Sequence, residues 1–153
     1  MTEPIIKTIE VPCPPSTAFD AFTRDIGTWW PKESHSVSAM DGNTARAVTM
    51  EPHVGGSLTE TGYDGTIHHW GSVKVFKPGE HLQLAWHINA PESEASTVDV
   101  TFTKTGSGTR VELKHHNWEN LGDRADDTRE GYNKGWVNVF EVVYAGYLAK
   151  LAA

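Results

Sequence analysis

One segment, Thr128 to Leu151, limits the possible folds of this chain more than any other. Tyr132, Trp136, Val139, Phe140, Val143, Tyr147 and Leu151 recur at spacings of three and four, which places them on one stripe of a single long amphipathic helix. The stripe is wide and aromatic, so the helix needs a large apolar surface to lie against. The middle of the chain offers one as a run of short alternating segments. Thr97 to Thr103 puts Val98, Val100 and Phe102 on one face, and Thr109 to Asn117 does the same with Val111, Leu113 and His115. Gly106-Ser107-Gly108 makes the hairpin between them.

The remaining elements obey the same rules. Ile5 to Val11 alternates as a strand and stops at Pro12, Pro14 and Pro15. Ala18, Phe19, Phe22 and Ile26 have helical spacing, with Ser16 offered as a cap and an end near Gly27. Trp29-Trp30-Pro31 suggests a second short helical turn, and Pro31 to Gly42 reads as a polar loop. Thr44 to Met50, Ser57 to Thr61, Thr66 to Phe76 and His81 to Ile88 complete the strands, divided by Gly55-Gly56, Gly62 to Gly65 and Pro78-Gly79. Strands joined by short turns imply an antiparallel meander. The expected fold class is α+β: a curved antiparallel sheet of about six to seven strands around a long C-terminal helix, with one or two short helices after the first strand. The expected domain is a single one over residues 1–153.

Composition removes several functions. Thirteen basic against twenty acidic residues give a formal net charge of −7, which argues against nucleic acid and anionic membrane as partners. No run is apolar and long enough to span a bilayer, and the N-terminus lacks a signal-peptide pattern. The single cysteine, Cys13, forms no internal disulfide and fits a cytoplasmic location.

Several local patterns recur in order: Pro14-Pro15 with Ala18-Phe19 and Phe22, Trp29-Trp30-Pro31, Gly55-Gly56, Gly71 with Val73 and Val75, Pro78, Leu82 with Trp86, Thr97 to Val100, Thr109 to Leu113 with His115 and Asn117 after it, Gly135-Trp136 and Tyr147-Leu148. Together they resemble the helix-grip fold of the START-like, or Bet v1-like, superfamily, and within it the Hsp90-ATPase-activator-homologue family. A sheet wrapped around the terminal helix leaves a pocket between them; families related by this resemblance bind lipids, hormones or polyketides, and some are cyclases. The resemblance also implies a chaperone-related role, but the Hsp90 co-chaperone carries a separate N-terminal domain for which this chain leaves no room. The expectation is therefore against Hsp90 as a partner.

The candidate ligand-binding residues are Trp30, Glu51, His69, Trp86, His115, Tyr132, Trp136 and Phe140. Strand parity turns His69 and His115 inward, where an imidazole can orient a ligand, act as a general base, or simply be satisfied by neighbours. Glu51, at a strand end, can face the pocket mouth or solvent. Trp30, Trp86, Tyr132, Trp136 and Phe140 form an aromatic wall or a plain core. Parity turns Trp70 and Phe76 outward as a patch suited to a homodimer or other protein contact. Gly131 and Gly135 in the last helix read either as close approach of backbone to ligand or sheet, or as relief beside Trp136.

The eight histidines include two adjacent pairs, but neighbours on a strand face opposite ways and no close ligand spacing appears, so no metal site is expected. No cofactor fingerprint is present, and no catalytic residue is assigned. The expected function is a module binding a small apolar molecule between sheet and helix. The alternatives are a cyclase- or hydrolase-type enzyme using an inward histidine, and a protein-interaction role.

Overall fold

A computed structural model describes residues 2–152; Met1 and Ala153, the ends of the expected domain, lie outside the described residues. Seven strands form one sheet: β1 (Ile5–Val11), β2 (Ala47–Met50), β3 (Ser57–Thr61), β4 (Ile67–Lys77), β5 (His81–Trp86), β6 (Ser96–Lys104) and β7 (Thr109–His116). Their order is β1-β7-β6-β5-β4-β3-β2, antiparallel throughout. Three short helices fill the crossover from one sheet edge to the other: α1 (Pro15–Phe22), α2 (Ile26–Trp29) and α3 (Val37–Met40). Pro15 occupies the first turn of α1, where its missing N–H costs nothing. Ser16 therefore lies inside that turn and does not cap it. Gly27 is inside α2 instead of ending α1.

The C-terminal rod has three parts: α4 (Ala125–Trp136), a π-helical stretch over Val137–Tyr144, and α5 (Ala145–Ala152). It lies across the inner face of the sheet, where Val98, Val100, Val111 and Leu113 are fully buried. The expected stripe holds through Trp136, Val139 and Phe140, then shifts. Tyr144 and Leu148 are fully buried, whereas Leu151 is half exposed and Val143 and Tyr147 are only partly covered. The wider π turn takes more residues per revolution than an α turn, so the buried face advances by one position along the sequence.

β4 departs from simple alternation in the same way. Leu58 pairs with Gly71 and Thr59 with His69, leaving Trp70 as an extra residue; Val73 pairs with Leu84 and Val75 with Gln83, leaving Lys74 extra. Each bulge reverses the facing of the strand residues beyond it. Trp70 is therefore fully buried, Phe76 packs edge-on against Phe19 at 5.0 Å, and His69 and Ile67 face out. The expected outer patch of Trp70 and Phe76 does not form.

Candidate functional site

A cleft of about 470 Å³ opens where α4 passes over the sheet. Thr128, Gly131, Tyr132, Gly135 and Trp136 supply its floor from one face of α4, with Val139 beyond them. Trp30, Trp86 and Ile88 stand at the back. Ser34 to Val37, Ala39 and Met40 form the opposite wall, and Met40 is largely exposed at the rim. None of the lining side chains is a carboxylate, an ammonium or a guanidinium.

The back wall is a cluster of packed indoles. Trp30 packs against Trp70 at 5.3 Å, Trp136 at 6.1 Å and Trp86 at 6.2 Å. The Trp30 indole N–H donates to the His35 carbonyl at 2.7 Å, tying the wall segment to the core. The Trp86 N–H donates to the Tyr132 hydroxyl at 2.8 Å, which leaves that hydroxyl its own proton to donate. Burial raises the Tyr132 pKa, outweighing the opposite pull of the Trp86 N–H, so the phenol stays neutral.

The wall of Val37–Met40 is held from below by Glu60 on β3. This carboxylate is fully buried and accepts from the Val37 N–H (2.7 Å), the Ser38 N–H (3.0 Å), the Ser38 hydroxyl (2.8 Å) and the Trp70 indole N–H (3.2 Å). Four donors offset the cost of removing its charge from water. The Ser36 hydroxyl caps α3 by accepting from the Ala39 N–H at 3.0 Å.

The structure sorts the expected residues into three groups. Trp30, Trp86, Tyr132 and Trp136 line the cleft together. His115 and Phe140 are fully buried behind it. The Trp136 N–H can only donate, so it fixes His115 Nδ1 as an acceptor at 3.0 Å; His115 Nε2 then donates to the Ser96 hydroxyl at 2.7 Å. The ring stacks 4.1 Å from Trp118. Burial, aided by His116, pushes the His115 pKa well below 6.5, so it is a neutral, fully bonded core group.

His69 and Glu51 are outside the site. His69 faces outward because of the Trp70 bulge, with its ring 5.2 Å from that of His87. Glu51 is exposed and accepts the Ser57 N–H at 2.7 Å, closing the turn after β2.

His35 is the site residue that strand parity misses, because it sits in the segment expected to be a plain loop. It is half-buried, its Nδ1 is 2.8 Å from the Ser34 hydroxyl, and burial lowers its pKa against the pull of Glu33. The one sequence signal for it is that Ser34 and His35 follow Trp30 by only four and five positions.

A second polar cluster lies on the outer face of the sheet. Asp99 is 2.6 Å from both His81 Nε2 and His116 Nε2 and accepts from Gln83 at 3.0 Å. Burial alone would raise its pKa, but these hydrogen bonds outweigh it and hold the carboxyl below its usual range. Among the described residues, no three His, Cys, Asp or Glu side chains are placed to share a metal ion, and no helix is long and apolar enough to cross a membrane.

A curved seven-stranded sheet gripping a terminal helix, with a cleft beside that helix, defines the helix-grip class of α+β proteins. The sequence profile described as "Activator of Hsp90 ATPase homolog 1-like protein" matches residues 12–143, and the chain belongs to that family. The Aha1 dimer from Colwellia psychrerythraea has a similar structure, with 19% identity, a TM-score of 0.68 and coverage of 97% of each chain. Protein MLL2253 from Mesorhizobium loti is similar with 18% identity and a TM-score of 0.67 over 99% of each chain. An anthrahydroquino-γ-pyrone synthase, Txn09, complexed with SUM, shares 27% identity and a TM-score of 0.64 over 95% of this chain and 96% of its own. No curated protein matches the chain.

Proposed function

We propose that this chain is a binding module for a small apolar or amphipathic molecule seated in the cleft between α4, the Ser34–Met40 wall and the indoles of Trp30 and Trp86. The observation that carries the reading is an uncharged, aromatic-walled cleft of about 470 Å³, within the size range of ligand sites. Burial of an apolar guest against these rings supplies the affinity, and the few polar groups at the rim supply orientation. His35, Gly131 and Gly135 meet the guest in place of His69, Glu51, His115 and Phe140.

Titration with the neutral probe N-phenyl-1-naphthylamine tests it. Probe fluorescence should rise with one-site saturation, intrinsic tryptophan emission should be quenched, and the melting temperature should climb with probe concentration. Gly131→Leu, which pushes a side chain into the cleft, should remove the binding and leave the fold intact. A folded wild-type protein that takes up no probe overturns the proposal.

A synthase- or cyclase-type enzyme is the second reading, favoured by the likeness to Txn09 and by a neutral imidazole, His35, beside the cleft. Turnover of an aromatic polyketide precursor that disappears in His35→Phe would support it. The likeness to the Colwellia dimer carries a homodimer forward as part of the proposal, to be checked by sedimentation velocity. A cytoplasmic location rests on the lone buried thiol of Cys13.

A further inference from the structure

Gly131 and Gly135 stand four apart on the face of α4 that floors the cleft. Each costs the helix about 1 kcal/mol against alanine. Neither has a positive φ. A Cβ at Gly131 would meet nothing within 4 Å, and one at Gly135 would sit in ordinary contact with His35, 3.7 Å from Cδ2 and 3.9 Å from Nε2. Packing of the protein on itself therefore requires neither glycine. Both line the cleft, and Gly135 faces the Cδ2–Nε2 edge of His35.

That edge is the unengaged side of the ring. Nδ1 is taken by the Ser34 hydroxyl, and the backbone is pinned by the bond from Trp30 to the His35 carbonyl and by the His35 N–H donating to the Pro31 carbonyl at 2.9 Å. Nε2 has no hydrogen-bond partner among the described residues. The Ser34 contact orients the ring, and its other nitrogen belongs to a residue that lines the cleft. The Ser34 contact is compatible with either neutral tautomer, so Nε2 serves as donor or acceptor.

Resting on the binding reading above, we infer that His35 is the specificity-determining polar contact of the cleft, and that it selects a fused-ring aromatic guest bearing a neutral hydroxyl lying over Gly131 and Gly135. A hydroxyl suits both tautomers, since it donates and accepts. A carboxylate is disfavoured, because the lining holds no cation and the chain carries a net charge of −7. The indole and phenol rings of Trp86, Trp136 and Tyr132 meet at 60° and 87°, so they offer both ring faces and edges to a flat guest.

Three probes of one skeleton test this: 2-naphthol, 2-methoxynaphthalene and 2-naphthoate, titrated calorimetrically into the full chain. Wild type should bind 2-naphthol about tenfold more tightly than 2-methoxynaphthalene, with 2-naphthoate weakest. In His35→Phe the preference for 2-naphthol should fall to within about twofold, while 2-methoxynaphthalene binds as before. His35→Gln, which retains a donor and an acceptor, should restore part of the preference. Gly131→Ala should weaken both neutral probes together. If the probes bind but wild type does not prefer the naphthol, or His35→Phe keeps the preference, the inference is overturned while the binding reading stands. If wild type binds neither neutral probe, both fall.

Discussion

The two ends of the interior are built from the same residue types and reach opposite outcomes. Near the C-terminus of the rod, Tyr144 packs against Phe22 at 5.2 Å, Trp29 at 5.0 Å and Phe140 at 5.6 Å, and its hydroxyl donates to the Ala18 carbonyl at 2.6 Å. These rings fill the space between α1 and the rod. One turn and more towards the N-terminus, Trp30, Trp86, Tyr132 and Trp136 are equally aromatic, yet they border a cleft. The difference lies in what faces them. α1 presents Ala18, Phe19 and Phe22 and closes the first end, whereas the second end faces a wall suspended from Glu60 and a helix floor with Gly131 and Gly135. Aromatic content alone does not separate a core from a pocket; backbone spacing and the partner surface do.

Phe140→Ala should break the closed end, with a loss of about 3–5 kcal/mol in urea denaturation. Ile88→Ala, a half-buried residue at the back of the cleft, should cost far less under the same measurement, and an equal cost would erase the distinction between the ends. Glu60→Gln removes the charge that four donors converge on, so about 2–3 kcal/mol should be lost. Amide exchange at Val37 and Ser38 should quicken in that variant, and probe affinity should fall with the loosened wall.

The pH dependence separates the buried imidazole from the cleft imidazole. His115 is held neutral in the folded chain, whereas the unfolded chain takes up its proton near pH 6.5. Its contribution is therefore complete above that pH and shrinks as pH falls below it, by up to about 1.4 kcal/mol per pH unit. His115→Gln should flatten this slope in denaturation series run from pH 7 downward, whereas His35→Gln, at a half-buried site, should leave most of it. The smallest effect is of opposite sign: Gly131→Ala should stabilise the unliganded protein by up to about 1 kcal/mol while weakening probe binding. A variant that is stabilised and still binds fully would show that the glycine floor plays no part in the cleft.

Much of the fold is legible in the sequence because its signals are local. β6 and β7 keep strict alternation, so spacing alone places Val98, Val100, Val111, Leu113 and His115 on the inner face, and it does the same for the first half of the helical stripe through Phe140. The candidate site is legible only in its aromatic part. Parity misplaces His69 because a bulge opposite β3 is a property of two strands, and the one-residue shift to Tyr144 and Leu148 comes from a π turn that the three-and-four spacing does not announce. His35 is hidden because a polar segment looks like any loop until a buried carboxylate twenty-odd residues away anchors it.

Periodicity within single segments was enough to specify the alternating sheet, the terminal amphipathic rod and the supply of aromatic rings. Which rings close into core and which border a space was settled by the assembled fold alone. That choice depends on bulges, on the π turn and on the distant tie from Glu60 to the wall, all of which are set by contacts between segments far apart in the chain.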